Sequence, residues 1–153
     1  MTDYFNLGDY SRDVTLNSEC QTWFDRAMVW LFAYNHEEAI ECFQRAIAVD
    51  PECAFAYWGV AYAVGPNYNK HWDVFTPKEK GPVLEKAHKF LQAGLALPSL
   101  SNLEKLLLEA LVQRYPQNPD IEDFQEYTDA FANAMKPVYR EYSDDLDVCF
   151  VYA

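Results

Sequence analysis

The chain has 153 residues, half of them hydrophobic and 16% aromatic, enough apolar material for one packed domain and too much for compositional disorder. It carries 24 acidic against 12 basic residues, a formal net charge of -12, with no Lys/Arg cluster to offset it locally; this argues against nucleic acid as a partner. The first twelve residues lack a basic-then-apolar leader, and the longest apolar run, 54–64, is too short to span a bilayer. The four cysteines (Cys20, Cys42, Cys53, Cys149) form no C-x-x-C pair and no regular spacing. A soluble, cytoplasmic protein with reduced thiols and no membrane partner is expected.

Residues 1–17 hold Gly8 and scattered aromatics without helical period, and read as an extended lead-in. Ser18 followed by Gln21 is a capping-box spacing, and a first helix is expected over about 19–33. Asn35 and Glu38 repeat that logic before a second helix, 36–49, which Pro51 ends because it has no N–H to donate. A further helix opens at Ala54, with Tyr57, Val60 and Ala61 along it. A long insertion, 65–82, then replaces a tight turn. Within it Thr76-Pro77 with Glu79 forms a helix start, and Gly81-Pro82 predicts a break or kink before a main helix over 83–96. Ala87 lies 48 residues after Ala39, the length of one 34-residue unit plus about 14. Ser101 and Glu104 cap a helix over 103–115, with Leu106, Leu107, Ala110 and Leu111 on one face. A long amphipathic helix over 120–142 carries Phe124, Tyr127, Phe131, Met135 and Val138 at spacings of three and four, and Pro137 is expected to kink it. Residues 144–153 look like the opening of another apolar helix without a cover.

Residues 20–53 form one unit of 34 residues, with Trp23, Ala27 and Trp30 on its first helix and Ala39, Phe43 and Ala46 on its second. This resembles the tetratricopeptide (TPR) repeat, although Arg26 stands where a large aliphatic is usual. Together with Tyr57-Trp58-Gly59-Val60-Ala61 and Gly65-Pro66-Asn67-Tyr68-Asn69, the stretch is also similar to a family of longer microbial and fungal TPR-domain proteins. The resemblance implies an all-α fold of about three stacked antiparallel helix pairs, a TPR-like α-solenoid with a right-handed superhelix. The units are 18–52, 54–98 with the insertion, and 101–143; 144–153 reads as the truncated start of a further helix. It also implies protein–protein interaction.

Two groups of residues are candidates for chemistry. His36, Glu37 and Glu41 offer an imidazole and two carboxylates, but acids in a first turn already favour the helix dipole and no second histidine follows, so no metal is expected. Stacked pairs bring successive turns to one edge, which gathers Asn35, His36, Asn67, Tyr68, Asn69 and His71 as a ligand-binding group. The aromatics Trp23, Trp30, Tyr57 and Tyr62 read as core. No phosphate loop and no nucleophile beside a histidine appears, so no catalytic residue and no cofactor is assigned. The expected function is a non-enzymatic module that binds a peptide or protein segment on its concave surface. The alternative is the N-terminal part of a longer enzyme or small-ligand or metal-binding protein with the 65–72 loop near its site. Val148, Phe150, Val151 and Tyr152 are expected to lie bare, and self-association through that uncapped helix follows.

Overall fold

In the computed structural model, which describes residues 6–153, the chain forms seven α-helices: α1 (Ser18–Phe32), α2 (His36–Val49), α3 (Ala54–Val64), α4 (Pro77–Leu95), α5 (Asn102–Val112), α6 (Gln125–Glu141) and α7 (Leu146–Tyr152). A single 3-10 turn, Trp72–Val74, interrupts the insertion, and no strand forms among the described residues. No helix among them is long and apolar enough to cross a membrane.

Local signals place most helix ends. The Asn35 side chain accepts from the Glu38 amide, Thr76 and Glu79 bond reciprocally, and so do Ser101 and Glu104. Each pair satisfies amides that the first turn leaves without partners. The Lys70 ammonium and the Thr76 amide and hydroxyl hold the Glu79 carboxyl down at about 2. At α1 the cap is Asn17 rather than Ser18. Its side chain accepts from the amides of Glu19 and Cys20 at 3.1 and 3.2 Å.

Gly81-Pro82 does not break the helix: Pro82 lies inside an unbroken α4, as Pro137 lies inside an unbroken α6. The carbonyls that lose their amide partner belong to Lys78 and Asn133. All four residues are exposed, so water replaces the missing bond. The other correction to the helices is at 120–124. This segment is not helical; Phe124 precedes α6 and is buried, its ring stacked on Trp72 at 4.3 Å.

The helices pack as antiparallel pairs, α1 with α2, α3 with α4 and α5 with α6, while α1, α3 and α5 lie side by side as one layer. This is an all-α, solenoid-like stack of three pairs. Two apolar clusters hold it. One joins Trp23, Phe24, Ala27, Met28, Ala39 and Phe43 across the first pair; the other joins Trp58, Trp72, Leu91, Leu108, Leu111 and Met135. Trp30, expected in the core, is only partly buried at the edge of the first cluster, and Phe24, Met28 and Leu31 fill the interface. Cys20, Cys42 and Cys53 are buried free thiols, each pushed up by burial.

The insertion is part of the core rather than a connector laid over it. Trp72 is buried, edge-on to Tyr115 at 6.1 Å, and Lys70 ties the loop to α4 through Glu79 at 2.7 Å. The Tyr115 hydroxyl donates to the Ala61 carbonyl at 2.5 Å. A Cβ on Gly65 would stand 2.1 Å from that hydroxyl oxygen, so only glycine lets the two segments meet.

The uncapped end departs most from expectation. α7 does not lie bare: Val148 is fully buried and Val151 and Tyr152 are partly so, because α7 packs on α6, with Tyr152 stacked on Tyr139 at 4.6 Å, and because Val148 and Val151 border residues of α1, α3 and α5. Only Leu146 and Phe150 remain exposed apolar side chains on it.

The first two pairs approach closely at Gly59, where an added Cβ would stand 2.5 Å from the buried Phe43 ring. Gly59→Ala would gain ~1 kcal/mol of helix propensity, but the ring has no free space to move into. We expect a net loss of ~1–3 kcal/mol by chemical denaturation, partly recovered when Phe43→Leu is added. A Gly59→Ala protein more stable than the parent would show that Phe43 does not fix the spacing.

Candidate functional site

α1 ends in a Schellman arrangement, with the Asn35 amide donating to the Trp30 carbonyl at 2.9 Å and the Tyr34 amide to Leu31 at 3.0 Å. This forces the residue after the cap into left-handed backbone, normally the place of glycine. Here it is Tyr34, at φ 59°. A side chain in that region costs roughly 1–2 kcal/mol. The tyrosine gains little burial in return, since it is 45% exposed. Its ring projects from the turn, edge-on to His36 at 6.0 Å and to Tyr68 of the insertion at 6.3 Å.

These rings rim a cavity of about 700 Å³. Leu31, Tyr62 and Arg114 form its floor, coming from the ends of α1, α3 and α5; the insertion, the start of α6 and the end of α7 form its walls. The cavity therefore lies on the layer of first helices, at the edge where each pair turns.

Arg114 is its central polar group. The guanidinium lies between the Tyr62 and Phe131 rings, 4.9 and 5.3 Å from their centroids, and Nη2 donates to the Pro66 carbonyl at 2.6 Å. Nη1 is buried without a hydrogen-bond partner, and no carboxylate pairs with the side chain among the described residues. A buried donor in that state costs about 1–3 kcal/mol relative to a satisfied one. Asp73, Glu122 and Asp123 also line the cavity. Burial holds His36 below 6.5; the hydrogen bond to the Tyr34 carbonyl opposes it, and Arg114 adds the smallest, lowering contribution. Burial also pushes the Tyr62 hydroxyl up, with Arg114 opposing.

Of the six residues gathered from the sequence, His36, Asn67, Tyr68 and His71 line this cavity; Asn35 and Asn69 do not. Asn35 is occupied as the α2 cap. Asn67 also shapes the loop, its side chain accepting from the Asn69 and Lys70 amides at 2.9 and 3.1 Å. Tyr34, Tyr62, Arg114 and Phe131 were not in the group. An i, i+3 cap pattern can show where a turn falls, but nothing in sequence spacing shows that α5 delivers an arginine to it. His36, Glu37 and Glu41 do not gather a metal-binding group: no three His, Cys, Asp or Glu side chains cluster for one among the described residues.

Two outcomes test this geometry. Tyr34→Gly removes backbone strain but gives the unfolded chain more freedom, so we expect unchanged or higher stability, by up to about 1 kcal/mol. A loss above that amount in denaturation would make Tyr34 a structural residue. Second, because the folded His36 pKa is depressed, its contribution to stability is present above 6.5 and lost as pH falls through the lower folded value. In NMR titration Arg114→Gln is expected to raise the His36 midpoint towards 6.5 without reaching it, since burial is the larger cause. A midpoint unmoved by the substitution would separate the two residues.

The α1–α2 pair, residues 20–53, matches the family model for the tetratricopeptide repeat. No curated protein and no solved structure matches the chain. The repeat found by that model is the pair whose packing is described above: the chain contains a tetratricopeptide repeat at 20–53 within an all-α, solenoid-like fold.

Proposed function

We propose that this protein binds a segment of a partner protein on the concave surface made by α1, α3 and α5, with the Tyr34–Arg114 cavity as its anchor. The tetratricopeptide repeat is in general a protein–protein interaction module, and stacked helix pairs present extended concave surfaces for such contacts. The observation that supports the cavity as anchor is Arg114: a guanidinium in the cavity lining, between two aromatic rings, whose buried Nη1 has no partner. Around it, Tyr34 and Tyr68 are exposed aromatics of the kind that carry binding energy at interfaces. The strain at Tyr34 fits this reading, because a side chain that costs stability where it stands is well explained by contact with something outside the chain.

A second reading has one observation in its favour. The cavity volume is within the range of small-molecule sites, and the 65–72 loop lines it, as a small ligand of a longer enzyme or binding protein would require. Selection of random peptides displayed on phage against the purified protein distinguishes the two. We expect enriched peptides whose affinity falls roughly tenfold or more in Tyr34→Gly and in Arg114→Gln, both with unchanged helical content. No enrichment, or peptides indifferent to both substitutions, would reject the cavity as a peptide anchor.

A further inference from the structure

The Tyr34–Arg114 cavity is lined by charges of both signs that do not pair with each other. Counting histidines neutral, Arg114 is the one cation among the described residues of its lining, and Asp73, Glu122 and Asp123 are its carboxylates. No ion pair among the described residues includes any of the four. They also differ in burial: Arg114 is partly buried, with Nη1 wholly so, whereas the three acids are exposed. Asp73 comes from the insertion, Glu122 and Asp123 from the segment before α6, and Arg114 from the end of α5, so separate parts of the chain hold the opposite charges apart.

Unspent donors gather at the same place. Of the three buried side-chain nitrogens without a hydrogen-bond partner among the described residues, two belong to residues lining this cavity, Arg114 Nη1 and Trp72 Nε1. Trp72 is only 6% exposed. A buried donor left unpaired costs stability, and a cavity of about 700 Å³ beside two of them is within the range of small-molecule sites. His36 adds an acceptor. Its Nδ1 lies 3.2 Å from the Tyr34 carbonyl, which can only accept, so in the neutral ring Nε2 is left to accept. Aromatic surface completes the lining: Tyr62 and Phe131 enclose the guanidinium, and Tyr34 and Tyr68 meet edge-on at 6.3 Å. Ring faces of this kind attract an organic cation and pack on a flat apolar body.

We propose that the cavity binds a small zwitterion with a flat apolar body, an aromatic amino acid or a molecule of the same build. Its carboxylate lies towards Arg114, whose charge acts through a partly buried region of low screening without needing Nη1 itself to be exposed. Its ammonium lies towards Asp73, Glu122 and Asp123, and its body packs on Tyr34 and Tyr68. A simple anion would meet three carboxylates, and a simple cation would leave Arg114 unanswered; one molecule bearing both charges satisfies both sides. This rests on the small-ligand reading of the cavity given above and names that ligand's chemistry.

The test titrates the unaltered protein with three probes of one shape: L-tryptophan, tryptamine, which lacks the carboxylate, and indole-3-propionate, which lacks the ammonium. By calorimetry L-tryptophan is expected to bind roughly tenfold or more tightly than either of the others, and to shift the His36 ring signals in NMR spectra. Arg114→Gln should bring L-tryptophan down to the level of tryptamine. The triple variant Asp73→Asn, Glu122→Gln, Asp123→Asn changes only exposed side chains and should bring it down to the level of indole-3-propionate, with helical content unchanged by circular dichroism. L-Tryptophan binding that leaves His36 unmoved, or that survives the triple variant, overturns the proposal. Should Arg114→Gln fail to fold, the three probes and the triple variant decide without it. Tryptamine or indole-3-propionate binding as tightly as L-tryptophan, with His36 shifted, keeps the small-ligand reading and rejects the zwitterion. Silence of all three rejects the zwitterion and takes the small-ligand reading with it, while the phage-selected peptides stand or fall by their own dependence on Tyr34 and Arg114.

Discussion

The whole stack depends on how closely the second helix of the first pair can approach the helix that follows it. Phe43 on α2 lies where a side chain on residue 59 of α3 would have to be, and α3 accepts it because that residue is glycine. The neighbours at this junction are small as well: Ala39 and Ala46 on α2 and Ala56 and Val60 on α3 are all fully buried. Small residues here set the distance between pairs, and the distance sets the tilt with which α3, and then α5, join the layer. The surface proposed for binding is made by that layer, so its shape is fixed by contacts on the far side of the helices that form it.

The layer then serves two purposes with the same residues. Phe24 and Met28 face the first core and also meet α7, and Trp58 stacks on Tyr62 at 4.9 Å while its other surroundings include Val148. Aromatic and methionine side chains suit this double use, because they present large apolar faces and tolerate a change of neighbour. In a chain of net charge -12, Arg12 and Arg114 bring guanidiniums to this layer. Each lies beside an aromatic ring, which lets a cation remain partly buried.

What could be read from the sequence follows from how local each signal is. The ends of α2, α4 and α5 were legible because Asn35, Thr76 and Ser101 act on amides two or three residues away. The repeat at 20–53 was legible for a related reason, since its small and large residues recur on neighbouring turns. The break expected at Pro82 does not occur because the rule for proline counts a lost bond, while exposure decides whether water can replace it. α7 was misread because part of its cover comes from far along the chain, as with Arg12 on Asp145 and Asp147, and no spacing within 144–153 encodes that. Tyr34 was hidden for yet another reason: a left-handed position is inferred from glycine or asparagine, and a tyrosine gives no such sign.

The insertion between α3 and α4 has a consequence for how the chain can vary in length. Its two ends are pinned, Gly65 beneath the Tyr115 hydroxyl and Trp72 between Phe124 and Tyr115. Between them, Asn67 to Lys70 close a tight turn on themselves through two reciprocal backbone bonds of 3.0 and 3.1 Å, with Tyr68 and Asn69 outside. Added or deleted residues at the tip of that turn leave both anchors in place, whereas a single residue gained on either side of it shifts a core tryptophan or a glycine contact. The turn tip is thus the point in this repeat where natural lineages can accept insertions, and where a reporter sequence can be grafted beside the cavity without disturbing the helices that build it.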